Sequence, residues 1–147
     1  MESAIEIFNR YLKKNGLKLT RQRQVILDFL MKSDKHITAE QLYRAIEKKH
    51  PNIGLSTVYR TLKLLSDCGL ARTLRLDENI TSFEASYRKK HHDHIICREC
   101  GHVVEFYSEK IKTLQIEIAK KYGFIPEDHR IKIIGLCPRC AKKKGIR

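Results

Sequence analysis

Three features of this sequence predict an α+β fold in two parts. Apolar residues recur at helical spacing over the first 68 positions, residues 70–85 switch to two-residue alternation, and two CxxC pairs bracket much of the last third. Together they predict an N-terminal winged helix-turn-helix domain followed by a small α/β domain closed by a four-cysteine zinc site.

The elements follow in order. Ala4, Ile5, Phe8, Tyr11 and Leu12 lie on one helical face, and Asn15-Gly16 ends that helix. A second helix runs from about Thr20, with Val25, Ile26, Phe29 and Leu30 inward. TAEQ (38–41) is a capping box with Thr38 at the N-cap, so a third helix opens there, and its inward face is Ala39, Leu42, Tyr43 and Ile46. Pro51 lies just beyond it. A fourth helix is expected from Ser56 to about Cys68, with Gly69 suited to its C-cap. LARTLRL (70–76) and ITSFEA (80–85) read as strands joined by Asp77-Glu78-Asn79. Helices followed by such a hairpin match a winged helix-turn-helix. Residues 1–85 are therefore expected to bind DNA, SYRKKH (86–91) to act as a hinge, and residues 92–147 to form the second domain. That domain reads as strands at 93–97, 102–107 and 130–136 with a helix at 109–122, then a tail.

Hydrophobic residues make up 41% of the 147, which supports a packed core. No stretch approaches the roughly 18–20 apolar residues of a membrane span. The amphipathic, charge-bearing N-terminus does not read as a secretory signal. The expected compartment is a reducing cytoplasm, where structural disulfides are rare. A formal charge of +13 and a pI near 9.7 favour nucleic acid or another anionic surface as partner. Residues 1–87 hold 15 Lys+Arg against 10 Asp+Glu and residues 88–147 hold 15 against 7, so charge alone does not locate the binding face.

Cys97-Arg-Glu-Cys100-Gly101 and Cys137-Pro-Arg-Cys140 are two CxxC knuckles. Such a turn aims both thiolates at one ion about 2.3 Å away, and Gly101 can take the left-handed conformation the turn needs. Four soft thiolates favour tetrahedral Zn2+ in a closed, non-catalytic site. A redox CxxC usually stands alone at a helix start in a βαβ setting, which is absent here. An iron–sulfur cluster is the alternative occupant. Cys68 reads as a buried thiol.

HHDH (91–94) concentrates imidazoles just before the first knuckle. In a strand, His92 and His94 share one face while His91 and Asp93 share the other, so one segment can serve two metal centres. Imidazole and carboxylate ligands suit iron, manganese, cobalt, nickel or zinc. Further candidate ligands are His36, Glu84, Glu105 and His129, whereas His50 and His102 read as surface residues. The competing reading of HHDH is a solvated polar strand that binds nothing.

On the fourth helix Val58, Leu62 and Leu65 point inward, and Ser56, Thr57, Arg60 and Lys63 outward with Tyr59 at the flank; Leu64 also falls outward. Hydroxyls, an aromatic ring and cations near a helix N-terminus suit a major-groove reader, although an ordinary solvated face has the same pattern. Lys18, Arg21 and Arg23 flank the second helix start and can reach phosphate or a minor groove.

GLKLTRQRQVIL (16–27), HITAEQLY (36–43), GLSTVYRTLKLL (54–65), FE (83–84), HHDHIICRECGHVVEF (91–106), the DHR around His129 and GLCPRC (135–140) occur in one order over nearly the whole chain. This combination resembles the ferric uptake regulator family of metal-dependent bacterial repressors. The resemblance implies a homodimer with an N-terminal DNA-binding domain and a C-terminal dimerisation and metal-binding domain, 92–147, on a palindromic double-stranded DNA operator; the residues expected at the DNA are Lys18, Arg23, Ser56, Thr57, Tyr59 and Arg60. It implies a regulatory metal held by His36, Glu84, His92, His94 and Glu105. His91, Asp93 and His129 would form an additional metal site. There the sequence departs from the family, because Lys112 stands where a carboxylate ligand is expected and Glu109 lies one turn earlier. Peroxide sensors in the family carry aspartates where Glu84 and Glu105 stand, so the two glutamates favour Fe2+ as the regulatory ion, with Mn2+ or Zn2+ able to replace it in vitro. Neither a membrane nor a small-molecule substrate is expected. The alternatives are a peroxide- or zinc-sensing member of the family, a metal-dependent hydrolase built on His-x-His, or a zinc-ribbon adaptor. The hydrolase lacks an oxyanion motif, and the adaptor leaves the 54–68 helix and wing unexplained.

Overall fold

The computed structural model describes residues 1–75, 79–87 and 92–146. The chain divides into two compact units, Met1–Lys89 and Lys90–Arg147.

The first unit opens with α1 (Ala4–Lys14) and α2 (Arg21–Lys32). Ser3 starts α1 with a capping box to Glu6, and the Thr20 side chain caps α2 through the Arg23 N–H. A two-residue strand, β1 (Ile37–Thr38), leads directly into α3 (Ala39–Ile46), whose N-cap is Thr38 with the expected capping box to Gln41. Helix α4 covers Leu55–Asp67 and is followed by the wing strands β2 (Ala71–Arg75) and β3 (Thr81–Ala85). The sheet order is β1-β3-β2, all antiparallel. Central position in that sheet explains why residues 82–85 are all buried. Of the wing turn, Asn79 lies within the described residues and Asp77 and Glu78 outside them.

Two details of α4 differ from the sequence expectation. It begins at Leu55, one residue early, because Gly54 takes the extended N-cap conformation. Leu64 is half-buried and packs on the core, since a long helical side chain leans along its helix onto neighbouring apolar surface. The core gathers Phe8, Leu12, Ile26, Leu30, Leu42, Leu62 and Leu65, each with no exposed surface. Burial of each contributes about 1.5–3 kcal/mol relative to exposure. Ser86 donates its hydroxyl to the Gly69 carbonyl (2.7 Å) and Tyr87 donates its hydroxyl to the Glu2 carbonyl (2.6 Å), which ties both into this unit. Of the residues expected as hinge, 88–91 lie outside the described residues.

The second unit contains β4 (Asp93–Cys97), β5 (Val103–Phe106), α5 (Glu109–Lys121), β6 (Lys132–Gly135) and α6 (Pro138–Lys143). Its sheet runs β5-β4-β6, antiparallel between β4 and β5 and parallel between β4 and β6. Helix α6 replaces the expected tail: Cys137 caps it and Pro138 opens it, the position where proline costs no hydrogen bond. Among the described residues of this unit, Ile96 is the one large aliphatic side chain fully buried, and α5 buries none. Ile133, Ile95 and Val104 form a row across the sheet, each more than a third exposed. So thin a core needs support from a metal or a second chain.

Candidate metal centres and nucleic-acid interface

The parallel pairing of β4 with β6 sets Cys97 beside Gly135 and so brings the two CxxC knuckles together. After Cys97 the chain turns through Gly101 at φ +75°, the left-handed conformation anticipated for this knuckle. In the second knuckle the Cys137 Sγ accepts the Cys140 N–H at 3.4 Å. All four sulfurs lie within 4.8 Å of one another, and Cys100 and Cys137 are 3.8 Å apart. Four sulfurs about 2.3 Å from one ion form a tetrahedron with edges of roughly 3.8 Å. The donor set therefore fits zinc in size and in softness.

The electrostatics divide the thiols, favouring the anion at Cys97 and Cys100 and the neutral form at Cys140. Backbone N–H groups of Cys100 and then Cys137 hold the Cys97 thiol down to about 6. The His102 backbone also lowers Cys100. Cys140 is pushed up to about 12, first by the Cys137 side chain and then by burial and the other sulfurs. Arg139, not singled out in the sequence, lies against Cys100, which holds its guanidinium more firmly charged. Its position inside the second knuckle was the available signal. Cys68 stays apart, half-buried, its thiol donating to the Leu65 carbonyl at 3.4 Å and raised by burial.

The imidazole–carboxylate residues form one group in each unit. In the first, β1 pairs Ile37 with Phe83 and Thr38 with Ser82, so the residue before the strand meets the one after Phe83. His36 Nε2 accordingly lies 3.1 Å from Glu84 Oε2, and the Glu84 side chain is buried. In the second, β4 sets His94 directly opposite Glu105 on β5. The rings of His92 and His94 are 4.9 Å apart and His92 Nε2 is 3.7 Å from Glu105 Oε1. Each group offers nitrogen and oxygen donors suited to a first-row divalent ion.

Of the additional set, His91 lies outside the described residues. Asp93 is buried and accepts the Ile131 N–H at 2.9 Å, and His129 is half-buried with its own N–H on Asp128 (2.9 Å). Glu109 accepts a hydrogen bond from the Tyr107 hydroxyl.

At the other end of the first unit, Ser56, Tyr59 and Arg60 are exposed and Thr57 half-buried on the first turns of α4. Gly54 supplies no side-chain cap, so the first N–H groups of α4 receive no hydrogen bond from it. Arg60 Nε donates to the Ser56 carbonyl at 3.4 Å. Arg23 is half-buried and donates to the Lys18 carbonyl at 2.5 Å, which fixes the loop that presents exposed Lys18.

A winged-helix unit joined to a unit with clustered thiolates, and nitrogen–oxygen ligand groups in both, defines a metal-dependent regulator of the winged-helix class. The ferric uptake regulator family model matches residues 14–134, and the chain belongs to that family. A ferric uptake regulation protein of Campylobacter upsaliensis is 39% identical over 145 residues, spanning 97% of this chain and 92% of the relative. The peroxide operon regulator of Bacillus subtilis is 35% identical over 134 residues, 91% of each. The solved structure of the Helicobacter pylori ferric uptake regulator, reported with three functional metal-binding sites, superposes with a TM-score of 0.79 at 34% identity. It covers 95% of this chain and 94% of that one. Membership sets aside the hydrolase and adaptor readings, because the family consists of transcription regulators and not enzymes. No helix among the described residues is long and apolar enough to cross a membrane.

Proposed function

We propose that this chain is a DNA-binding transcriptional repressor that grips a palindromic operator as a homodimer when a regulatory Fe2+ is bound. The observation that carries the reading is the division of donors. His36 and Glu84 belong to the DNA-binding unit, and His92, His94 and Glu105 belong to the other. Neither group alone fills the coordination sphere of a divalent ion. One ion taking all five stabilises only those domain arrangements in which both groups reach it, so loading shifts the population toward them. In a two-fold dimer that selection fixes the separation of the two α4 helices and hence the half-site spacing they fit.

Support for the dimer comes from the second unit, where the Ile133–Ile95–Val104 row and Leu114 and Ile118 of α5 stay exposed. Zinc held by Cys97, Cys100, Cys137 and Cys140 would tie the start of that unit to its end. The proposed compartment is a reducing cytoplasm, where the thiols stay available to bind metal. On the DNA side Arg60 suits a guanine edge and Tyr59 or Thr57 a thymine methyl, with Ser56, Lys18 and the loop held by Arg23 on phosphate or the minor groove. Asp93, His129 and His91 are assigned an additional metal site, weakened by Lys112. Glutamates at positions 84 and 105 favour iron over peroxide sensing, and the likeness to the Bacillus subtilis peroxide regulator keeps peroxide sensing as the second reading.

The test is fluorescence anisotropy with an operator-like palindrome, with and without Fe2+ or Mn2+. Tight binding that requires the metal is expected; equal affinity in both states removes the proposal.

A further inference from the structure

A polar crevice of about 310 Å³ runs between α4 and the wing, where Lys63, Ser66 and Asp67 of α4 face Thr73, Arg75 and Thr81 of β2 and β3. The fold grades its charge. Strand β2 turns back from Gly69 at the end of α4, so Thr73 and its partner Phe83 lie nearer that end, where Asp67 also lies, and Arg75 and its partner Thr81 lie farther from it, in the direction of Tyr59. Arg75 stands opposite Thr81 in the sheet, and both Lys63 and Arg75 are exposed. The crevice thus carries two cations, Lys63 and Arg75, the hydroxyls of Tyr59 and Thr81, and the Asp67 carboxylate at its Gly69 end.

We infer that this crevice is a phosphate-binding subsite, in which Lys63 and Arg75 hold one DNA phosphodiester between the α4 helix and the wing. The inference rests on the DNA-binding reading above and adds to it two contacts that carry no sequence information. Lys63 lies one turn beyond Tyr59, away from the helix end that meets the bases, so it is placed for the backbone. A lysine supplies a point charge and an arginine a fork of donors, a suitable pair for the two free oxygens of a phosphodiester. Asp67, one helical turn from Lys63 toward Gly69, repels the phosphate from that end of the crevice.

The experiment measures anisotropy of Mn2+-loaded protein on an operator-like palindrome and on a scrambled duplex of equal length, over a series of KCl concentrations. Lys63→Gln and Arg75→Gln are each expected to weaken binding severalfold on both duplexes alike and to reduce the slope of log affinity against log salt by about one. Both positions are exposed, so circular dichroism should show the fold retained in each variant. Arg60→Ala serves as contrast, since it should lower the preference for the operator over the scrambled duplex. Wild-type affinity and slope in both glutamine variants would overturn the subsite while leaving the DNA-binding reading intact. A changed operator preference with an unchanged slope would also overturn it, by making these residues base readers. Failure of the wild-type protein to bind either duplex would sink the DNA-binding reading and the subsite together.

Discussion

His36 Nε2 and Glu84 Oε2 face each other at 3.1 Å across 48 residues of sequence, held there by the two-residue pairing of β1 with β3. The imidazole of a loop before α3 thereby joins a buried carboxylate at the end of the wing. This contact gives the DNA-binding unit its share of the proposed regulatory site.

His36→Ala and His92→Ala should each weaken Mn2+ binding by at least about tenfold, since losing a ligand costs no less than losing a supporting partner. Both should abolish metal-dependent operator binding and leave the oligomer intact. Calorimetric titration and sedimentation velocity check this. Unfolding of His92→Ala would make the site structural rather than regulatory.

Cys97→Ser and Cys140→Ser should abolish zinc binding at the proposed four-cysteine site and destabilise the proposed dimer, because binding energy at a structural zinc site is folding energy. Elemental analysis and thermal melting provide the measurement. A stable variant dimer free of zinc would refute the assignment.

The thiols also set a pH dependence for zinc-stripped protein. Cys97 titrates near 6 against an ordinary 9.0, so its stabilisation is complete above about 9 and is lost as pH falls through about 6. Cys100 acts in the same direction. Cys140, pushed up to about 12, stabilises below about 9 and loses that contribution only as pH rises toward 12. Between about pH 6 and 8 the first effect governs, so the melting temperature of the second unit in stripped protein should rise with pH. A flat or falling profile in that window would contradict the thiolate at Cys97.

Ile95→Glu places a charge in the middle of the Ile133–Ile95–Val104 row. It should convert the proposed dimer to monomer and lower operator affinity, with zinc binding by the four cysteines retained. Sedimentation velocity decides, and a dimer of wild-type affinity would move the interface elsewhere.

The helices of the first unit were legible because each carries a strong local signal: an apolar stripe such as Phe8–Tyr11–Leu12, or a cap such as Thr38–Gln41. The four-thiolate cluster was legible because CxxC spacing and Gly101 state their geometry locally. Strand β1 was not, since two residues carry no period and this strand exists only through its partner β3. Helix α6 was hidden in the second knuckle, where Cys137 serves as cap as well as candidate ligand. Thr61, buried at 1% exposure, escaped because a wheel sorts residues by polarity while packing sorts them by position. The exposure of α5 was equally invisible, because Leu114 and Ile118 look like core and the pattern does not say which chain covers them.

Thr38 ends β1 by pairing with Ser82 and begins α3 by capping it, so a strand register and a helix start share one residue. An evolving lineage has almost no room here. One residue inserted between 36 and 38 would leave every helix and both wing strands able to form, yet would turn the imidazole to the opposite side of the sheet. Length at this joint is constrained more tightly than composition, and a deletion scan would find it before any substitution scan did.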